Sequence, residues 1–155
     1  MMRRIREVML VGAMFLMAAV MPAMAQQRGT PQEAQALVDR AIAHMAEVGP
    51  DQAIKDFSDP QGRFVDRDLF VIVYDPDGVV RTAGGVTALV GKNARDFTDV
   101  TGKEFGKEII AAARTKDGSW VQYHMTNPVT KKVEPKTSYV RSFNDYVVFV
   151  GAYQP

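Results

Sequence analysis

The 155-residue sequence contains no cysteine. A protein without cysteine has no disulfide, no thiol nucleophile and no thiolate metal site. Only two histidines occur, and His124 has no second histidine or carboxylate nearby at the spacing of a metal site. The sequence also lacks a Gly-x-Ser-x-Gly elbow and a phosphate-binding Gly-Lys-Ser/Thr motif. Nothing in the chain therefore demands an enzyme, and no metal or other cofactor is expected.

Long apolar runs are also scarce, and the one present lies in an N-terminal segment typical of a secretory signal peptide. Three arginines precede an uncharged apolar run at positions 8–20, and a small-x-small Ala-Met-Ala sequence ends at Ala25. We expect cleavage of residues 1–25, so that the mature chain begins at Gln26 and is periplasmic or secreted. A retained membrane anchor is the alternative, but the run is short for a span of about 20 residues.

Neither sign of charge is in excess. The chain has 19 basic and 18 acidic residues; three arginines and one glutamate belong to residues 1–25, which leaves 16 basic and 17 acidic residues and a net charge of −1. No basic field favours nucleic acid as a partner. Residues 26–155 suit one domain with a hydrophobic core, and no second apolar run predicts a membrane span after cleavage.

The beginning of this domain predicts two helices. Residues 30–33 read Thr-Pro-Gln-Glu, which combines a capping box with proline at the first helical position. Apolar residues follow at helical spacing as far as Val48, and Gly49-Pro50 then ends the helix. A shorter helix is expected over 51–57. His44 lies off the apolar stripe of the first helix, and we expect it to be solvated.

A β-hairpin is predicted next. The β-forming runs at 69–74 and 79–83 are joined by Asp-Pro-Asp-Gly at 75–78, which has the composition of a tight turn. It lacks the third acidic ligand and the closing glutamate of a calcium loop. Asp66 and Asp68 flank Arg67 just before the hairpin, and we expect them to stabilise a turn or a helix end.

The order of the predicted elements gives an α+β fold. After an irregular connection, a third helix is expected at 103–114, followed by strands at 119–125, 135–143 and 146–153. Two helices, a hairpin, a helix and three more strands predict a five-stranded antiparallel sheet with the long N-terminal helix packed on it.

The third and fourth strands carry the candidate site. Side chains alternate across a sheet, so Tyr123 and Met125 share one face of the third strand while Trp120 and His124 share the other. Since Trp120 and Tyr123 face opposite sides of a regular strand, one of them is core unless a bulge intervenes. Their neighbour in the fourth strand is Lys136.

Two interpretations of Lys136 and the tyrosines follow. An ammonium and a tyrosine hydroxyl between apolar walls suit a small carboxylate, since one supplies charge and the other a directed hydrogen bond. Alternatively, Trp120 and the tyrosines are core and Lys136 extends its ammonium to solvent. Composition alone favours this second interpretation.

The chain resembles a known family in four segments. These are RDLFVIVYDPDG at 67–78, LVGKN at 89–93, WVQYHMTNPVTKKVEPKTSYV at 120–140 and VFVGAY at 148–153. Together they are similar to a single Cache domain of type 2, over roughly residues 30–153. The resemblance implies a PAS-like extracytoplasmic sensor fold, with a long N-terminal helix, a five-stranded antiparallel sheet and a small-ligand pocket. Short organic acids are common ligands in that family.

The resemblance also implies site residues. The aromatic third strand of the family falls on Trp120 and Tyr123, and its Lys-x-x-Tyr-Val motif falls on Lys136, Tyr139 and Val140. We expect Lys136 to neutralise a ligand carboxylate, Tyr123 to orient it, and Trp120 and Tyr139 to shape the pocket. Where the family often has tryptophan this chain has a methionine, and where it often has Ala-His-Pro this chain has Ala-Gly-Gly. The methionine is Met125, which follows His124, and the Ala-Gly-Gly sequence occupies residues 83–85.

We therefore expect an exported small-ligand-binding Cache protein that senses or captures a short organic acid. We expect it to act without a signalling module of its own, with a membrane receptor or sensor kinase as its possible partner. The alternative is a protein-interaction or assembly module with a vestigial pocket, for which the hairpin at 127–134 is an exposed docking surface. A small hydrolase dependent on His124 is a third possibility.

Overall fold

A computed structural model describes residues 28–154 of the chain. The predicted signal peptide and its cleavage point lie outside these residues. The fold is α+β, as predicted, with helices α1 (Pro31–Val48), α2 (Pro50–Phe57) and α3 (Phe105–Ala112). Its strands are β1 (Val65–Asp66), β2 (Leu69–Phe70), β3 (Ile72–Tyr74), β4 (Val80–Ala83), β5 (Ser119–Thr126), β6 (Val133–Phe143) and β7 (Tyr146–Tyr153).

Helix α1 begins with the capping box that its sequence predicts. The Thr30 hydroxyl accepts a hydrogen bond from the Glu33 backbone N–H, and the Glu33 carboxylate accepts one from the Thr30 N–H. These bonds satisfy two of the backbone donors that a helix start leaves unpaired. Gly49 ends the helix with a positive φ of 83°, a conformation that favours glycine.

The expectation that His44 is solvated was wrong. Its side chain is buried, with 7% of the residue exposed, and its ring packs against Phe57 and Phe64. Its Nε2 lies 2.6 Å from a carboxylate oxygen of Asp56, and a guanidinium nitrogen of Arg63 lies 2.9 Å from its Nδ1. The α1 periodicity did not reveal this environment because all four partners lie outside that helix.

The five-stranded sheet is antiparallel, in the spatial order β4-β3-β7-β6-β5. Strands β5, β6 and β7 form a continuous meander of long strands. The predicted strand at 69–74 is divided at Val71, because Leu69–Phe70 pairs with β1 as a separate two-stranded ribbon while Ile72–Tyr74 pairs with β4 and β7. The predicted 103–114 helix is shorter and begins at Phe105.

Each face of the sheet has its own hydrophobic core. Helices α1 and α2 cover one face, on which Val73, Tyr139, Val148 and Val150 are buried. Helix α3 and the connection that precedes it cover the other, on which Tyr123, Val140 and Phe149 are buried. We call these the α1 face and the α3 face. No helix within residues 28–154 has the length and apolar character needed to cross a membrane.

Candidate functional site

A row of three long side chains crosses the α3 face. Lys136 on β6 is directly opposite Tyr123 on β5 and directly opposite Tyr153 on β7. Residues opposite each other in antiparallel strands project from the same face. Lys136 is only 2% exposed. This lysine therefore does not extend its ammonium to solvent, which the alternative interpretation required.

Gly151 makes room for the lysine side chain. A methyl group built on Gly151 would overlap Cε of Lys136, lie 2.9 Å from its Cγ and overlap the Ser138 hydroxyl. The lysine therefore lies along the sheet above this glycine instead of standing away from it. A glycine at this strand position is a site of close approach between a side chain and the backbone.

The ammonium group of Lys136 lies between two aromatic rings. Its Nζ is 4.6 Å from the ring centroid of Phe70 and 4.5 Å from that of Tyr153. It donates one long hydrogen bond, of 3.4 Å, to the Tyr153 hydroxyl, which in turn donates to the Thr126 carbonyl at 3.0 Å. Among the described residues no carboxylate comes within salt-bridge distance of this ammonium. Aromatic faces attract the charge, but they do not replace a counter-ion.

Burial alters the protonation of Lys136. Desolvation disfavours the charged form and lowers the pKa of the ammonium from 10.5 to about 7, although the negative charge of Asp68 acts in the opposite direction. The amine is therefore divided between its neutral and charged forms near neutral pH. Any anion that approached Nζ would favour the charged form.

Tyr123 is fixed by its neighbours. Its hydroxyl shares a 2.9 Å hydrogen bond with the Ser138 hydroxyl, and its ring stacks on Phe105 with centroids 4.4 Å apart. Burial raises the pKa of the Tyr123 phenol well above its usual value, so this group remains a neutral hydrogen-bonding partner. Met125 lies on the same face, partly buried against the same core.

A hydrogen-bonded acidic network occupies the β5–β6 hairpin end of this face. The Asn127 amide donates to Glu134 at 2.9 Å and to Asp68 at 3.5 Å. Arg28 binds Glu134 through its two terminal guanidinium nitrogens, at 2.5 and 3.0 Å, and the Gly29 N–H donates to Asp68 at 2.7 Å. The bonds from Arg28 lower the pKa of Glu134 to about 2, so this carboxylate is ionised at neutral pH.

Trp120 and Tyr139 lie on the opposite, α1 face. They are register partners, their ring centroids are 5.0 Å apart, and Trp120 is 40% exposed. The Tyr139 hydroxyl donates to the Asp117 carbonyl at 2.7 Å. The structure therefore brings Tyr123 and Met125 to the side of Lys136 but not Trp120 or Tyr139. Strand β5 pairs regularly with β6 along its whole length, so no bulge reverses this alternation.

His124 also projects away from the Lys136 face. Its backbone N–H donates to Asp99 at 2.9 Å, and its Nδ1 lies 3.4 Å from the same carboxylate. An open groove of about 260 Å³ lies at this edge, between the 99–103 loop and strands β5 and β6, and Tyr123 and Lys136 contribute to its wall. Within residues 28–154, no three histidine, aspartate or glutamate side chains converge as metal ligands.

Comparison with known families agrees with this geometry. The family model described as Single Cache domain 2 matches residues 5–154. The chain belongs to this family. The match begins further toward the N-terminus than the 30–153 range of the sequence resemblance. Cache domains of this type are extracytoplasmic sensor domains that bind small ligands, and they are sensors rather than enzymes.

Solved structures share the fold of this Cache domain. A methyl-accepting chemotaxis protein from Vibrio parahaemolyticus RIMD 2210633 is similar with a TM-score of 0.67 and 21% identity, over 79% of this chain and 86% of that one. The periplasmic sensor domain of a chemotaxis protein has a TM-score of 0.61 and 22% identity, over 80% and 90% of the two chains.

A third similar structure is a Cache chemosensory domain that recognises a carboxylic acid. It has a TM-score of 0.61 and 21% identity, and the likeness covers 80% of this chain and 88% of that one. No curated protein is similar enough to this Cache domain to count as a match. At these identities the structural likeness establishes the fold alone.

Several residues around Lys136 escaped the sequence-based prediction. Phe70 and Tyr153 contact the ammonium; Phe70 comes from β2, far from β6 in the chain, and Tyr153 comes from β7, the next strand after β6. Asp68, expected to stabilise a turn or a helix end, is buried and accepts hydrogen bonds from Asn127 and from Gly29, the residue before the N-cap of α1. The hairpin at 127–134 was expected to be exposed; its residues 129 and 131–133 are exposed, while its end residues Asn127 and Glu134 are buried in the same network. Only strand pairing brings these groups together.

Proposed function

We propose that this Cache domain binds a short organic acid and that Lys136 is the residue that holds its carboxylate. One observation carries the proposal: a fully buried ammonium that is contacted by two aromatic faces and one long hydrogen bond, with no carboxylate of the described residues within salt-bridge distance. An ionised group without a directly bonded counter-ion in such an environment is costly, because the more distant charge of Asp68 offsets only part of its desolvation. A ligand carboxylate would supply the missing charge.

The chemistry of the surrounding groups supports the same ligand. A carboxylate can accept a short, charge-assisted hydrogen bond from the lysine, and it would raise the pKa of Lys136 and keep this residue charged. Tyr123 and Tyr153 flank Lys136 in adjacent strands, and the Tyr153 hydroxyl lies 3.4 Å from the lysine Nζ. Phe70 and Met125 would border the apolar part of a short chain. One structural neighbour is itself a Cache domain that recognises a carboxylic acid.

The proposal assigns different roles to the six residues expected from sequence. Lys136 binds the carboxylate, Tyr123 orients it, and Met125 forms part of the wall. Trp120 and Tyr139 support the sheet from the α1 face and do not touch the ligand. His124 binds the 99–103 loop through Asp99 and takes no part in ligand contact.

A thermal-shift screen of the purified chain tests this function. The probes are acetate, propionate, butyrate, lactate and succinate, each applied to wild type, to Lys136→Met and to Lys132→Met as an exposed-lysine control. A ligand at 100 times its Kd adds about 2.7 kcal/mol to stability, which raises Tm by several degrees in a small domain. We expect at least one acid to shift wild type and the control but not Lys136→Met. No shift with any acid on folded protein would refute the proposal.

We also propose that residues 1–25 are a signal peptide and that residues 26–155 form one exported Cache domain. The basic start, the apolar run and the Ala-Met-Ala ending at Ala25 support it. The full chain, expressed in a Gram-negative host, should be found in the periplasmic fraction with the intact mass of a protein that begins at Gln26. A full-length mass in the membrane fraction would show that the segment is a retained anchor.

A further inference from the structure

The binding site is asymmetric in charge. Glu134 and Lys136 are two residues apart on β6, and such residues project from the same face of a strand. Asp68 lies two residues before Phe70, whose ring contacts the Lys136 ammonium, and the charge of Asp68 acts on that ammonium. Two buried carboxylates therefore stand at one end of the site and one buried ammonium stands beside them.

Arg28, the other cation at this end of the site, is already paired with Glu134. Arg28 holds Glu134 with a bidentate pair of hydrogen bonds, the geometry in which arginine and carboxylate recognise each other most strongly. The Asn127 amide nitrogen donates to Glu134 and lies within 3.5 Å of Asp68, and the Thr130 hydroxyl donates to Glu134 at 2.8 Å. These donors are directed at the two carboxylates, and the charge of Arg28 is paired with Glu134.

From this arrangement we infer that the site selects acids with a single negative charge and discriminates against short dicarboxylates, with Asp68 and Glu134 as the specificity-determining residues. The inference rests on the proposed binding of a carboxylate by Lys136. With one carboxylate on Lys136, the second group of a short diacid would lie in the same buried site as the carboxylates of Asp68 and Glu134, of which only Glu134 has a cation, Arg28, paired with it among the described residues. Repulsion between like charges is strong there because little water screens it.

The ligand tail that fits is therefore neutral. An apolar tail would contact the rings of Phe70 and Tyr153, and a tail with a hydroxyl group could donate a hydrogen bond to a carboxylate oxygen of Asp68. A second carboxylate can do neither. Discrimination by an unfavourable contact is a common way to obtain specificity within one class of ligands.

Isothermal titration calorimetry at pH 7 tests the inference with size-matched acids. The pairs are propionate with malonate and butyrate with succinate, and monomethyl succinate serves as a ligand of succinate's size with one charge. We expect each diacid to bind at least about tenfold more weakly than its monoacid, while monomethyl succinate binds like butyrate. If monomethyl succinate binds as weakly as succinate, the site selects ligands by length and not by charge, and the inference is wrong.

Two variants locate the discrimination. Asp68→Asn removes one charge and keeps a carbonyl oxygen for the Gly29 N–H, and Glu134→Gln removes the other and releases Arg28. Both variants should reduce the ratio of the succinate Kd to the butyrate Kd by at least about fivefold. Either variant suffices if the other fails to fold. Glu47→Gln, an exposed change of the same charge on α1, should leave the difference unchanged.

The outcomes separate this inference from the proposed function. Equal binding of succinate and butyrate, lost in Lys136→Met, would overturn the charge selectivity and leave carboxylate binding intact. Discrimination that persists unchanged in both charge variants would show that Asp68 and Glu134 do not cause it. Failure of every acid to bind would overturn the proposed function, and the inference would fall with it.

Discussion

Replacing Lys136 with methionine should change how the stability of the empty protein depends on pH. The unfolded chain holds a proton on lysine with a pKa of 10.5, whereas burial lowers the folded value to about 7. Because the unfolded state binds this proton more tightly, the buried ammonium destabilises the fold below pH 7, and that cost declines as the pH rises toward 10.5.

The size of the effect follows from the two pKa values. The cost of burying the Lys136 ammonium is about 4 kcal/mol at pH 7 and about 2 kcal/mol at pH 9. Methionine has a similar shape and no charge, so Lys136→Met carries no such term. The free energy of unfolding of wild type should therefore rise by about 2 kcal/mol relative to Lys136→Met between pH 7 and pH 9.

Urea unfolding in ligand-free buffer measures the difference. Taking the variant minus wild type at each pH cancels the contributions of all other titrating groups that the two proteins share. Lys132→Met is the matched control, because its side chain is exposed and its curve should remain parallel to that of wild type. Parallel curves for Lys136→Met and wild type would refute the argument, since they would mean that position 136 releases no proton on folding.

Two further predictions concern the groups around the lysine. Gly151→Ala places a methyl group where Cε of Lys136 lies. It should abolish the thermal shift given by a bound acid and lower the free energy of unfolding by about 1–3 kcal/mol. An unchanged thermal shift in this variant would show that the lysine can move aside and would contradict the prediction. Arg28 holds the pKa of Glu134 at about 2 against 4.5 unfolded, so wild type should lose this stabilisation as the pH falls through that range. Arg28→Gln should lose less stability between pH 5 and pH 3 in urea unfolding, and an equal loss would contradict the role of the pair.

The fold followed from sequence wherever the signals were local. The capping box at Thr30, the apolar stripe of α1 and the turn at 75–78 each depend on neighbouring residues, and the structure confirms them. The division of the first predicted strand at Val71 was not predictable. Residues on either side of it have similar β-forming character, but Leu69–Phe70 pairs with the neighbouring β1 whereas Ile72–Tyr74 pairs with the distant β7.

The site was predictable only in part, for a related reason. Strand alternation placed Tyr123 and Trp120 on opposite faces, and the family resemblance drew attention to Lys136. Alternation could not say which face is the buried site, because that depends on where α1 and α3 pack. The contact of the ammonium with Phe70 joins parts of the chain that are distant in sequence, which no local pattern reveals, whereas Tyr153 is opposite Lys136 in the neighbouring strand of the β6–β7 hairpin.

The most direct test of the account observes the Lys136 amine itself. In protein labelled with carbon-13 lysine, the Cε resonance of Lys136 can be assigned by its absence from Lys136→Met and followed through a pH titration, with and without propionate. The account predicts a pKa near 7 in the empty protein and a higher pKa when propionate is bound. A pKa near that of an exposed lysine, unchanged by propionate and by the other acids of the screen, would contradict it.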